Sequence, residues 1–170
     1  LYVTAFVGGL VSLALELAAA RLLAPTFGTS EPVWSAIIGL ILLYLSVGYL
    51  LGGRWADRSP YRVTLYTLVI GAGLTISAIP FITRPALNLA AQGMLSWNVA
   101  QIAGPFVAVL ILFAVPVTLL ACVSPFAIRL SVREVRDTGN VAGRITAVST
   151  LGSFIGTFLP NLVLIPSISV

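Results

Sequence analysis

The chain has 170 residues, of which 59% are hydrophobic and only 8% charged, and its net charge is +4. A water-facing domain of this size carries roughly a quarter charged residues, so no solvated surface can be built from this inventory and the solvent must be lipid. Histidine and lysine are absent and cysteine occurs once, which excludes disulfide frameworks, zinc sites and Cys/His nucleophile pairs.

A bilayer core of about 30 Å needs about 20 apolar residues in helix. Five segments meet that length, which predicts an all-α integral membrane bundle forming a single domain over residues 1–170. The first runs over 2–24 and is closed by Pro25. The second covers 33–53, where Ser30 can cap and Pro32 sits near the first turn. The third covers 62–83 and is entered through "SPYR", with Ser59 as cap. "RPALNLAAQGMLSWNVAQ" is too polar to span and predicts a short interfacial helix. The fourth and fifth spans cover 102–130 and 141–165. The sequence starts at Leu1 without a basic leader or a small-residue cleavage site, and it reads as an excerpt of a longer protein.

All positive charges are arginine, and their placement matters more than their sum. Arg54, Arg58 and Arg62 follow the second span; Arg129, Arg133, Arg136 and Arg144 follow the fourth. On the other side only Arg84 is clear of a span, since Arg21 lies within the first. This bias predicts cytoplasmic basic loops and a cytoplasmic N-terminus, in a bacterial inner membrane. The basic charge is thereby assigned to topology, and no nucleic-acid partner is expected.

Helix contacts are predicted at small residues. Gly48 and Gly52 form one G-x-x-x-G pattern, and Gly152 and Gly156 another, which lets helices approach closely in lipid. Gly8, Ser12, Glu16 and Ala20 recur every four residues and so share one face of the first helix. Pro80, Pro116, Pro125 and Pro160 lie inside or near the ends of spans and free backbone carbonyls. Trp34, Trp55, Trp97 and Tyr61 lie near the expected interfaces, where aromatic belts form.

Glu16 is the sharpest candidate for chemistry. A carboxylate at membrane depth costs on the order of 2.5–3.5 kcal/mol by insertion scales unless it is paired or hydrated. Arg21 is about 140° round the same helix, a poor partner. Two readings stay open: Glu16 is protonated or paired with another helix, or it holds a cation or proton. "GAG" at 71–73 lacks the strand and acidic partner of a dinucleotide site, so no cofactor is expected in this chain. Cys122 lacks a basic neighbour to activate it and reads as a buried small apolar residue. No metal or catalytic set is visible.

"GGRWADRSPYR" resembles the short Gly-x-x-x-Asp-Arg loop of major-facilitator transporters, here Gly53, Asp57 and Arg58, where acid and base fix neighbouring helix ends. A basic loop with a helix-capping acid is the alternative. A wider resemblance is carried by "LALELAAARLLAPTFGTSEPVWSAIIGLILLYLSVGYLLGGRWADRSP", by "SPFAIRLS" and by "GNVAGRITAVSTLGSFIGTFLPNLVLIPSIS". These are similar to the membrane domain of fused membrane-domain spermidine synthases, over most of the chain except 62–100. "PSIS" departs from the pattern, where a glycine is more usual.

That resemblance implies a cytoplasmic aminopropyltransferase elsewhere in the full-length protein, using decarboxylated S-adenosylmethionine. Five acids and no nucleoside loop cannot supply that activity here. It further implies that this half binds or passes polyamines, with Glu16 in contact with the cation. A non-catalytic subunit packing against other membrane helices, or a half-transporter, are the alternatives. The arginine bias predicts that cysteines placed at Ser59 and Thr138 label from the cytoplasmic face, and those at Thr29 and Ser96 from the other. Labelling of Ser59 and Ser96 from one side would break the five-span path.

Overall fold

Where no water is present, every amide must find its partner within the protein, and a helix does so within its own segment. The computed structural model describes residues 1–96, 100–132, 134–159 and 162, and the side chains among them outside 91–102. The notable expectations on Trp97, Arg133, Pro160 and the end of the fifth span lie outside the described residues. Among the described residues there are five α-helices and no strand: α1 (Tyr2–Phe27), α2 (Glu31–Arg58), α3 (Arg62–Ser96), α4 (Ala100–Ser131) and α5 (Thr138–Leu159). A 3-10 turn, Val135–Asp137, precedes α5.

The first four helices are long and apolar enough to cross a membrane. The described part of α5 is not among them. It carries Asn140, Arg144 and four glycines, and the apolar residues expected to finish the span lie beyond Leu159.

Helix ends differ from the expected ones for local reasons. Pro25 does not close α1: a proline one turn from the end forfeits only one helical bond. The stop comes at Gly28, whose φ of 77° favours glycine and whose N–H donates to the Ala24 carbonyl at 2.9 Å. Helix α2 starts at Glu31, with Pro32 in its first turn; the Ser30 side chain makes no capping bond. Ser59 does not cap α3 through its backbone. Its N–H closes α2 on the Trp55 carbonyl, and its hydroxyl meets that of Thr64 at 3.2 Å.

Among the described residues no separate interfacial helix precedes Ser96. Residues 84–96 are the last turns of α3, which runs for 35 residues. Pro80 and Pro85 each remove one bond, but the "ALNLAAQ" that follows is rich in strong helix formers and carries the helix on. Side-chain hydroxyls on these helices are satisfied one turn back. Ser46 donates to the Leu42 carbonyl, Thr67 to Val63, Thr83 to Ile79 and Thr150 to Thr146, at 2.7–2.9 Å.

Helix α4 is the centre of the bundle and packs against all four others. Val109, Phe113, Val117, Val123 and Phe126 on it are almost wholly buried. The outward faces of the other helices remain apolar, with Leu50, Ile70, Leu74 and Phe81 at 63–84% exposure, as a lipid-facing surface requires.

The closest helix approaches fall at glycines. A side chain at Gly48 would collide with Ala121 and reach the Thr118 carbonyl at 2.6 Å; one at Gly52 would stand 2.6 Å from the Cys122 Cα. These contacts seat α2 on α4. On the opposite flank, a side chain at Gly152 would strike the Phe6 carbonyl and one at Gly156 the Leu10 carbonyl. Helix α1 returns the contact through Gly9, which lies against the Ser149 carbonyl. Leucine at either Gly152 or Gly156 is expected to lower the melting midpoint in detergent, overpacking costing about 1–3 kcal/mol. An unchanged midpoint in both variants would contradict the α1–α5 contact.

Candidate functional site

Glu16 stands fourteen residues past the start of α1, roughly 21 Å along the helix and close to its middle. Its side chain is half-buried, and neither a hydrogen bond nor an ion pair to it is found among the described residues. It borders a cavity of about 110 Å³ formed where α1, α2, α4 and α5 meet. Around this space stand the hydroxyls of Ser12, Tyr49, Ser124, Ser149 and Ser153, with Ile41, Leu45 and Leu120 as apolar wall.

Local geometry explains the gathering. On α1, Gly8, Ser12 and Glu16 share one face through their four-residue spacing, and all three line the cavity. Ala20, the fourth member of that stripe, packs instead against the main apolar core. On α5, Thr146, Ser149, Thr150 and Ser153 fall on one face by the same periodicity. Ser153 donates to the Gly9 carbonyl at 3.0 Å, so one hydroxyl at the cavity edge ties α5 to α1.

A second cavity of about 400 Å³ adjoins the first and shares Tyr49, Ser124, Ser149 and Ser153 with it. It adds Thr146 and Thr150 from α5 and Pro125 and Ile128 from α4. These residues lie nearer the arginine-bearing ends of their helices. A larger hollow of about 690 Å³ lies between α2 and Phe106 of α4, but its lining is apolar apart from Glu31 and Ser35. With so few convergent polar groups it is a weaker candidate.

Gly53, Asp57 and Arg58, expected in a loop, lie in the last two turns of α2. Arg129 Nε donates to Asp57 Oδ1 at 3.1 Å, joining the ends of α4 and α2. A side chain at Gly53 would meet nothing within 4 Å. Cys122 is buried, and its thiol donates to the Gly48 carbonyl at 3.2 Å. Trp55 stacks edge-on against Phe126, with centroids 6.2 Å apart. Among the described residues no group of three metal-ligating side chains occurs.

Sequence reasoning reached Glu16, Ser12 and the glycine pairs, but not Gly9 or the hydroxyls of α2, α4 and α5. The α5 row was present as a Thr/Ser repeat at three- and four-residue spacing. What could not be read was that its face turns toward Glu16. Asp57→Ala is expected to shift stability by less than about 1 kcal/mol, because the Asp57–Arg129 pair is exposed to solvent. A larger loss of melting temperature would show that this contact holds the helix ends together.

Comparison with protein-family models, with curated proteins and with solved structures found no match to this chain.

Proposed function

We propose that this chain is a membrane-embedded helical domain that binds a cation at Glu16, an alkylammonium of the polyamine class, as part of a spermidine-synthase-like protein. The observation that carries the reading is a single carboxylate at the edge of a cavity lined by five hydroxyl-bearing side chains. A primary ammonium offers three N–H donors and no acceptor, and a carboxylate with several hydroxyl oxygens supplies matching acceptors. Charge-assisted hydrogen bonds of this kind are about twice as strong as neutral ones. The cation in turn offsets the penalty of a carboxylate at membrane depth.

In this reading the bundle sits in a bacterial inner membrane with its arginine-bearing end cytoplasmic, as the positive-inside rule directs. Aminopropyl transfer, with decarboxylated S-adenosylmethionine as donor, belongs to a soluble domain outside these residues. A second reading, a non-catalytic subunit packed against other membrane helices, is favoured by the glycines on outward faces. A side chain at Gly39, Gly73 or Gly143 would meet nothing within 4 Å, so packing within the chain does not require glycine there.

Two substitutions separate a cation site from a structural acid. Glu16→Gln keeps shape and hydrogen bonding but removes the charge; Glu16→Ala removes both. Spermidine binding to the purified protein is expected to vanish in the glutamine variant while its melting midpoint stays at the wild-type value. Wild-type affinity in that variant, together with a lowered midpoint, would assign Glu16 to the fold instead.

A further inference from the structure

Among the described residues no Cα of α2 comes within 8 Å of one on α5, although both helices pack against α4 and α1. They stand as the walls of a cleft whose floor is α1 and α4. The two cavities lie in this cleft one beyond the other, and four residues belong to both. The outer cavity reaches Ile128, three residues from the end of α4, or about 4.5 Å along the helix. The inner one reaches Ile41, seventeen residues from the end of α2, or about 25 Å. The Asp57–Arg129 pair shows that these two helix ends lie side by side. The cleft therefore runs inward from the arginine-bearing end to Glu16.

We propose that this cleft is the entry path by which a primary ammonium compound reaches Glu16 from the arginine-bearing face. The proposal rests on the reading of Glu16 as a cation site and adds the route and the face of entry. Its lining suits water and an ammonium better than a lipid tail: Thr146, Thr150, Ser149 and Ser153 on one wall, Ser124 on the floor and Tyr49 on the other wall. Serine and threonine oxygens spaced along such a wall can replace the water shed by an ammonium group as it advances.

The arginines do not close this route. Arg144 is two residues from Thr146 and so about 200° round α5, on the opposite face from the hydroxyl row. Arg129 turns its guanidinium to Asp57 on α2, which compensates its charge. Charges farther out at the mouth are screened over about 8 Å at physiological ionic strength.

The path can be tested in proteoliposomes of uniform orientation with cysteines at Thr146 in the outer cavity and Leu13 in the inner one. The native Cys122 is 3% exposed and stays in place as an internal control. A membrane-impermeant thiosulfonate added at the arginine-bearing face is expected to modify both Thr146→Cys and Leu13→Cys. Putrescine at about ten times its Kd should slow modification of Leu13→Cys about ten-fold, as simple occupancy requires. Adding Glu16→Gln should abolish that protection. Leu45→Cys, which lines only the inner cavity, serves in place of Leu13→Cys if the latter fails to fold. Modification of the inner cysteine only from the opposite face, or only by a lipid-soluble maleimide, overturns the path while leaving Glu16 as the site. Entry from the expected face with no protection by putrescine overturns the cation reading itself.

Discussion

The arrangement depends on backbone meeting backbone at glycine. In lipid no hydrophobic effect draws apolar helices together, so packing contacts and interhelical hydrogen bonds must hold them. Here two pairs are drawn tight at once. Helix α2 is seated on α4 through Gly48 and Gly52, and α1 on α5 through Gly9, Gly152 and Gly156. Each pair adds one polar bond at the point of approach, Cys122 to the Gly48 carbonyl and Ser153 to the Gly9 carbonyl. Because the partners are α4 for α2 and α1 for α5, the outer members α2 and α5 are held apart. The space that Glu16 faces is thus a by-product of how the glycines are distributed.

Glu16 combines two demands. The small residues around it let four helices converge, while a carboxyl group among apolar helices calls for polar neighbours. The side chains that supply them come from every one of those helices, with Ser12 on α1, Tyr49 on α2, Ser124 on α4 and Ser149 and Ser153 on α5. A carboxylate surrounded by hydroxyls on four separate segments is a tertiary feature. No single stretch of sequence contains it.

What was legible in the sequence follows from this. Long apolar runs name helices whatever the tertiary structure, and four-residue spacing names a face, so α1, α2 and α4 and the stripe containing Ser12 and Glu16 could be read directly. The ends could not be read as well. Pro25 and the polar stretch from Arg84 look like breaks, but near a helix terminus or among strong helix formers the helix runs on. Of the adjacent pair Gly8 and Gly9, the spacing rule selected Gly8. It is Gly9 that lies against a backbone carbonyl of α5, while a side chain at Gly8 would find Val123 at an ordinary 3.5 Å. Which of two neighbouring glycines carries the contact depends on where the partner helix lies, and that information is not local.

The uninterrupted length of α3 has a mechanical consequence. Arg62 and Arg84 are twenty-two residues apart on it, a separation of about 33 Å in helical rise, against a hydrocarbon thickness of about 30 Å. Two guanidinium groups at that spacing would both reach the headgroups of a bilayer of matching thickness, and a thinner bilayer would ask the helix to tilt. The turns from Arg84 to Ser96 add about 18 Å of rod, so a tilt of α3 would be enlarged into a lateral swing at its far end. Because α3 packs on the central α4, that tilt would be passed to the rest of the bundle through the same contact.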